Sequence, residues 1–242
     1  MDNTVESKEG RTGPWKIFLW VVGFSAIGLP ALILIRTLLY QPFNIPAASS
    51  EPNYMVGDYI FVSKSAYGYS KYSFSPFNFF SFDGRTGSNL PAAGDVVVFK
   101  YPSDTSVDYI KRVVGLPGDR IQMIAGVLNI NGVPVKLEPV ELAPEYYDMD
   151  GVKFFRETLP SGRSYVVSDL GDTSGDNTEE YVVPPKHYFM MGDSRDNSQD
   201  SRFLDKVGYV PEENIVGRVS ILAFNKNGIS TSNRPEEIYP KP

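Results

Sequence analysis

The sequence has no cysteine, which excludes disulfide staples, thiolate-bound zinc and a thiol nucleophile. It has a single histidine, His187, so a multi-histidine metal site within one chain is ruled out. It lacks a basic excess: 23 Lys and Arg stand against 29 Asp and Glu, for a net charge of -6 and a pI near 4.9. That balance argues against nucleic acid as a partner. There is no internal repeat, heptad pattern or Gly-rich phosphate loop.

What is present points to a β-rich chain with many turns. Aromatic residues make up 13% of the 242 positions, and 21 Gly and 19 Pro punctuate them. One long apolar run stands apart. From Ile17 to Ile35 no charged residue occurs, and as a helix at about 1.5 Å per residue that run crosses a bilayer core. Trp15, Trp20 and Tyr40 suit the two interfaces, Arg36 can snorkel, and Pro30 is tolerable in a membrane span. A cleaved signal peptide with Ala47-Ala48-Ser49 as its cleavage site competes, but its apolar region should be about 7–15 residues. Lys8, Arg11 and Lys16 precede the run, and after Arg36 the next basic residue is Lys64. The expectation is a cytoplasmic tail at 1–14, a transmembrane helix at 15–40, and an extracytoplasmic domain at 41–242.

Within that domain, residues 41–57 read as extended and exposed. Strands are expected at Asp58–Ser63, Ala93–Tyr101, Tyr109–Val114, Arg120–Ile130, Val133–Val135, Lys153–Thr158, Ser164–Val167, Tyr188–Met191 and Ile215–Phe224. Residues 137–182 read as an inserted β subdomain carrying a flexible acidic loop at 169–180. The Phe-rich segment 74–82 is a candidate contact with the outer leaflet. The fold class is therefore mainly β: an antiparallel β domain behind one N-terminal helix.

The chemistry starts from 109-YIKRVVGLPGDRI-121. Strand alternation places Tyr109, Lys111 and Val113 on one face and Ile110, Arg112 and Val114 on the other, so one of two cations must lie among apolar neighbours. An arginine stays charged there, whereas a lysine can lose its proton and serve as a base. A serine nucleophile needs such a base, or a histidine, together with an oxyanion donor. His187, at a strand entry after Pro184, Pro185 and Lys186, better suits a structural role.

Four blocks, in this order, now bear on identity: 45-IPAASSEPNYMVGD-58, 94-GDVVVFKYP-102, 109-YIKRVVGLPGD-119 and 192-GDSRDNSQDSR-202. Behind an N-terminal span, they resemble bacterial type I signal peptidases, which remove signal peptides on the outer face of the cytoplasmic (inner) membrane with a Ser–Lys dyad. The resemblance implies Ser49 as nucleophile, with Ser50 as the runner-up, and Lys111 as general base. It implies Ser198 as the residue orienting the lysine, and Asp200 and Arg202 as a supporting pair. Two departures stand out. Ala47 occupies a position where many members have an oxyanion serine, and Asn53 replaces a usual threonine.

A lysine of ordinary pKa is neutral in about one copy in 2,500 at pH 7, and lowering its pKa to about 8 makes that about one in ten. Burial beside Tyr109 and Val113 is the expected cause. The expected reaction is hydrolysis after small residues of Ala-X-Ala type through an acyl-enzyme, with no metal or cofactor. The implied partners are preprotein signal peptides and the phospholipid bilayer, with a monomeric enzyme. Two other readings share the blocks: a processing peptidase with few substrates, and a catalytically impaired anchored β domain that only binds exported peptides.

Overall fold

The apolar run forms helix α1, Pro14–Leu38, opened by proline at its first position and continuous through Pro30. Its 25 residues, with a mean hydropathy of 2.3 over an 18-residue stretch, make it long and apolar enough to cross a membrane, and none of it is buried in the protein. The computed structural model describes residues 13–74, 82–87, 89–142 and 151–228. Most of the Phe-rich segment, including Phe77, Phe79 and Phe80, lies outside the described residues. Phe74 and Phe82 meet edge to face at 6.4 Å.

Among the described residues eleven strands of four or more residues follow: β1 Tyr40–Asn44, β2 Asp58–Ser63, β3 Val96–Tyr101, β4 Asp104–Gly115, β5 Arg120–Ile124, β6 Val127–Ile130, β7 Lys136–Val140, β8 Lys153–Thr158, β9 Ser164–Asp169, β10 His187–Met191 and β11 Ile215–Asn225. The main sheet runs β1-β2-β11-β3-β4-β10, closed at one edge by Val210–Pro211. All its neighbours are antiparallel. β7-β8-β9 form a second sheet, and β5 and β6 pair with two short strands in a third.

The segment at 41–57 departs from its expected exposure. β1 pairs with β2 from Tyr40↔Ser63 to Asn44↔Tyr59, and Ile45, Asn53, Tyr54 and Met55 beyond it are buried. Pro42 is compatible with this because β1 is a sheet edge, where one missing N–H is tolerated. The acidic loop is also more tied down than its composition suggests. Asp176 O, Asn177 Oδ1 and Thr178 Oγ1 accept the N–H groups of Gly126, Ala125 and Met123 at the β5–β6 hairpin.

The run 96-VVVF-99 is apolar throughout because both faces of β3 are covered. Val97 and Phe99 join Val113, Tyr188 and Met190 on one side, while Val96 and Val98 join Ile45, Ile60, Val62 and Val216 on the other. A third cluster packs β5 and β6 against Tyr165 and Val167 of the second sheet, Leu159 just beyond β8, and Phe189 of the first sheet. Register aligns Val97 with Lys111 and Val96 with Arg112, so both cations lie inside, on opposite faces.

β11 joins the half of the sheet carrying residues 40–63 to the half carrying β3 and β4. Their close approach depends on Gly217, where a Cβ would press into the Ser63 carbonyl and stand 2.9 Å from Val62 Cγ1. Gly217→Ala should therefore destabilise the protein by about 1–3 kcal/mol. Thermal unfolding of the purified protein in detergent measures this, and an unchanged Tm would contradict it.

Candidate active site

Residues 45–58 form a loop cinched at its base. Ile45 N–H donates to Asp58 O and Gly57 N–H to Ile45 O, each at 2.8 Å, while the Asp58 carboxylate accepts from Met55 N–H and from Asn225 Nδ2. Ala48–Ser50 make one 3-10 turn that lifts Ser49 off the sheet edge. Asn53, fully buried, fixes the loop from beneath by donating to Val166 O and to Asp193 Oδ2, both at 2.7 Å. An amide can donate to both acceptors at once, which accounts for asparagine at this position.

Lys111 reaches Ser49 from β4. Its Nζ stands 2.5 Å from Ser49 Oγ, with the Tyr109 ring centroid 5.9 Å away, and the residue is 4% exposed. Burial lowers its pKa to about 8; Asp200 and Asp193 oppose that shift and Arg202 adds to it. Ser50 points elsewhere: it is buried and its Oγ has no hydrogen-bond partner among the described residues. His187 sits away from this pair, with Nδ1 against Pro185 O at 2.9 Å.

The loop 192–202 closes the site from the other side. Ser194 N–H donates to Ser49 O at 3.2 Å, and Gly192 lets the parts meet, since a Cβ there would collide with Ser198 and with the Ser49 carbonyl. Ser198 is buried beside Gly192, near enough to favour the charged form of Asp200, but it makes no hydrogen bond of proper geometry to Lys111. Asp200 and Arg202 pair through Nε–Oδ1 at 2.9 Å and Nη2–Oδ2 at 3.0 Å, and Asp200 also accepts Gly192 N–H. Although burial opposes it, Arg202 and these hydrogen bonds hold the Asp200 pKa below its ordinary value.

Arg112 does not turn outward. Its guanidinium grips Asp193 at 2.6 and 2.7 Å, donates to Gly94 O, and stacks 3.9 Å over the Tyr165 ring. The Tyr165 hydroxyl donates to Glu157 Oε1 at 2.5 Å, which Arg195 also engages at 2.7 Å. Periodicity did not reveal this second layer, because its members are far apart in sequence. A weak signal existed in Glu157, a carboxylate within an otherwise strand-forming run. Among the described residues no cluster of His, Asp and Glu could hold a metal ion.

The family description "Signal peptidase, peptidase S26" matches residues 17–224. The chain belongs to the signal peptidase family. It is 40% identical over 236 residues to a signal peptidase I of Rickettsia conorii, spanning 93% of this chain and 84% of that protein. Against its counterpart in Rickettsia typhi the identity is 43% over 203 residues, covering 80% and 75%. A crystal structure of a signal peptidase I from Enterococcus faecalis aligns at 23% identity with a TM-score of 0.34, covering 55% of this chain and all of that one. As a member of this signal peptidase family, the protein is a serine peptidase, a hydrolase.

Burying a lysine whose charged form is disfavoured costs stability, and the sign can be worked out. The folded-state pKa of about 8 lies below the ordinary 10.5, so between those values the unfolded chain binds more protons and stability rises with pH. Below about pH 8 the full penalty remains, on the order of 3 kcal/mol. Lys111→Met should thus stabilise the protein at pH 7, with a gain that shrinks from pH 8 and vanishes above 10.5. Urea unfolding at pH 7 and pH 10 checks this; equal gains at both would contradict it.

Proposed function

We propose that this protein is a membrane-bound serine endopeptidase that removes N-terminal signal peptides from exported preproteins by a Ser49–Lys111 dyad. The observation that carries the proposal is the 2.5 Å approach of Ser49 Oγ to a buried lysine amine. At a pKa of about 8 the amine is neutral in about one molecule in ten at pH 7, enough to serve as a base.

Neutral Lys111 takes the Ser49 hydroxyl proton as Oγ bonds to the scissile carbonyl carbon. The resulting ammonium protonates the departing amide nitrogen as the C–N bond breaks, leaving an ester on Ser49. Water then attacks the ester carbon, giving its proton to Lys111, which returns it to Ser49 Oγ as the acid leaves. The negative oxygen formed at each addition needs donors. The N–H of Ser49 is available, because the first N–H groups of a 3-10 turn precede its internal bonds. Ala47, exposed and without a hydroxyl, adds none.

In this reading Asp200 and Arg202 support the loop that backs the lysine, and Ser198 orients the amine when substrate displaces Ser49 from it. The peptide enters extended, adds to the sheet edge, and is read through small pockets that favour Ala-X-Ala sequences. Phe43, half-buried against the Ile45 cluster, is more open to a substrate than the fully enclosed Val97. The α1 helix anchors the enzyme in the cytoplasmic membrane as a single span. Its N-terminus is inside, and the peptidase unit at 41–242, with an insertion at about 137–182, lies on the outer side.

Cleavage of a preprotein in detergent tests the assignment. Ser49→Ala and Lys111→Met should each lower turnover by at least about a thousandfold, while Ser50→Ala stays within a few-fold of wild type. Full activity in Ser49→Ala would remove it as nucleophile, and binding without cleavage by wild type would favour a binding module.

The pH profile gives a separate check. With a short peptide substrate, kcat/KM should rise about tenfold per unit below pH 8 and level off above it, since the neutral amine is the working form. A profile flat from pH 6 to 9 would rule out a lysine base of this pKa.

A further inference from the structure

The last turn of α1 presents carbonyl groups that have no partner within the helix. Three in succession are taken up by one short stretch of the catalytic domain. Lys64 Nζ donates to Thr37 O at 3.4 Å, the Tyr69 hydroxyl to Leu38 O at 2.7 Å, and the Lys64 N–H to Leu39 O at 2.9 Å. Lys64 Nζ also donates to Ser73 O at 2.5 Å, in the 3-10 turn Lys71–Phe74 that packs against α1. The Tyr69 ring stacks on Phe74 with centroids 5.7 Å apart.

Lys64 is 0% exposed, and the proposed chemistry does not use it. A cation at a helix C-terminus is favourable, and this one is withdrawn from water to meet carbonyls that solvent could otherwise have served. Burial and the neighbouring Arg36 and Lys100 disfavour its charge, with Asp108 opposing them. Position adds to the case. α1 runs into β1, β1 pairs with β2, and β2 delivers Lys64 straight back to the helix end. Without that closure, the residues around Leu39 would be a single swivel between span and sheet.

We infer that Lys64 and Tyr69 are positioning residues that lock the membrane span at a fixed angle to the catalytic sheet, setting the orientation of Ser49 and Lys111 over the bilayer for a membrane-held substrate. The catalytic part of this inference rests on the proposed peptidase reading; the mechanical part does not.

The test uses the full chain in proteoliposomes with two substrates: a preprotein whose signal segment is embedded in the same vesicles, and a short soluble peptide with the same cut site. Tyr69→Phe removes one hydroxyl and no packing volume, and Lys64→Met joins it in a double variant. In the double variant, kcat/KM for the embedded preprotein should fall about tenfold while peptide hydrolysis stays within about twofold. Tyr69→Phe alone should shift the ratio in the same direction. Proportional losses on both substrates in Tyr69→Phe, or no change in the ratio in either variant, overturn the inference.

A second measurement needs no catalysis. The chain has no cysteine, so Val107→Cys on an exposed part of β4 carries a single dye. Its anisotropy in nanodiscs should fall in the double variant as the domain gains rotational freedom, and an unchanged anisotropy overturns the clasp. Failure of Ser49→Ala to abolish cleavage would instead count against the peptidase mechanism, leaving the anisotropy result intact.

Discussion

The buried ion pair of Arg112 and Asp193 is the constraint on which the site depends. β4 carries two adjacent cations to opposite faces of a sheet covered on both sides, so each must be accommodated without water. Arginine cannot shed its charge, so it needs a carboxylate held in bidentate geometry. Asp193 supplies it, and in doing so draws the loop 192–202 onto the sheet, bringing Gly192, with Ser198 and Asp200 bound close to it, against the Ser49 carbonyl. Removing one partner of such a pair costs about 3–5 kcal/mol, because the other charge is left buried and unpaired. The same carboxylate accepts from Asn53, so the loop carrying Ser49 and the strand carrying Lys111 are fixed to one anchor.

Among the described residues Lys111 has no equivalent carboxylate partner. Asp193 and Asp200 act on it from a distance, each bound to its own arginine, and so offset burial only in part. This gives the two cations different fates. One stays charged and structural; the other is poised to lose its proton next to a hydroxyl. The pairing Asp200–Arg202 contributes to that poise, since an unpaired carboxylate beneath the amine would hold the proton more tightly.

Much of this was legible in the sequence, and the gaps have a physical origin. The helix followed from an uninterrupted apolar run, and β2, β8 and the core of β3 from β-branched and aromatic residues between turn signals. The split of Tyr109–Val114 into two faces followed from a period of two, but the burial of both faces did not, because periodicity does not count the layers above a sheet. Strand β1 was hidden by Pro42 and by small residues that read as loop; its evidence lies in its pairing with β2. Arg112 and Asp193 are 81 residues apart, and Tyr165 and Glu157 come from another sheet, so no local pattern could join them. Ser49, Lys111, Ser198, Asp200 and Arg202 were named through a resemblance whose motifs are contiguous. The second layer beneath them was not, since its members are scattered.

The molecule buries Lys64 and Lys100 as well as Lys111, and the comparison of Lys64 with Lys111 is instructive. Lys64 and Lys111 have both lost most contact with water, and desolvation lowers the pKa of each to about 8. Their neighbours distinguish them. Lys64 meets backbone carbonyls, which can only accept, so each of its side-chain hydrogen bonds favours the ammonium. Lys111 meets a serine hydroxyl, which can donate to a neutral amine as well as accept from a charged one. Equal depression of proton affinity therefore meets opposite surroundings: in one place a cation faces the carbonyls of a helix end, in the other an amine faces a hydroxyl. Acidity alone would not separate them; the chemistry of the atom 2.5 Å away does.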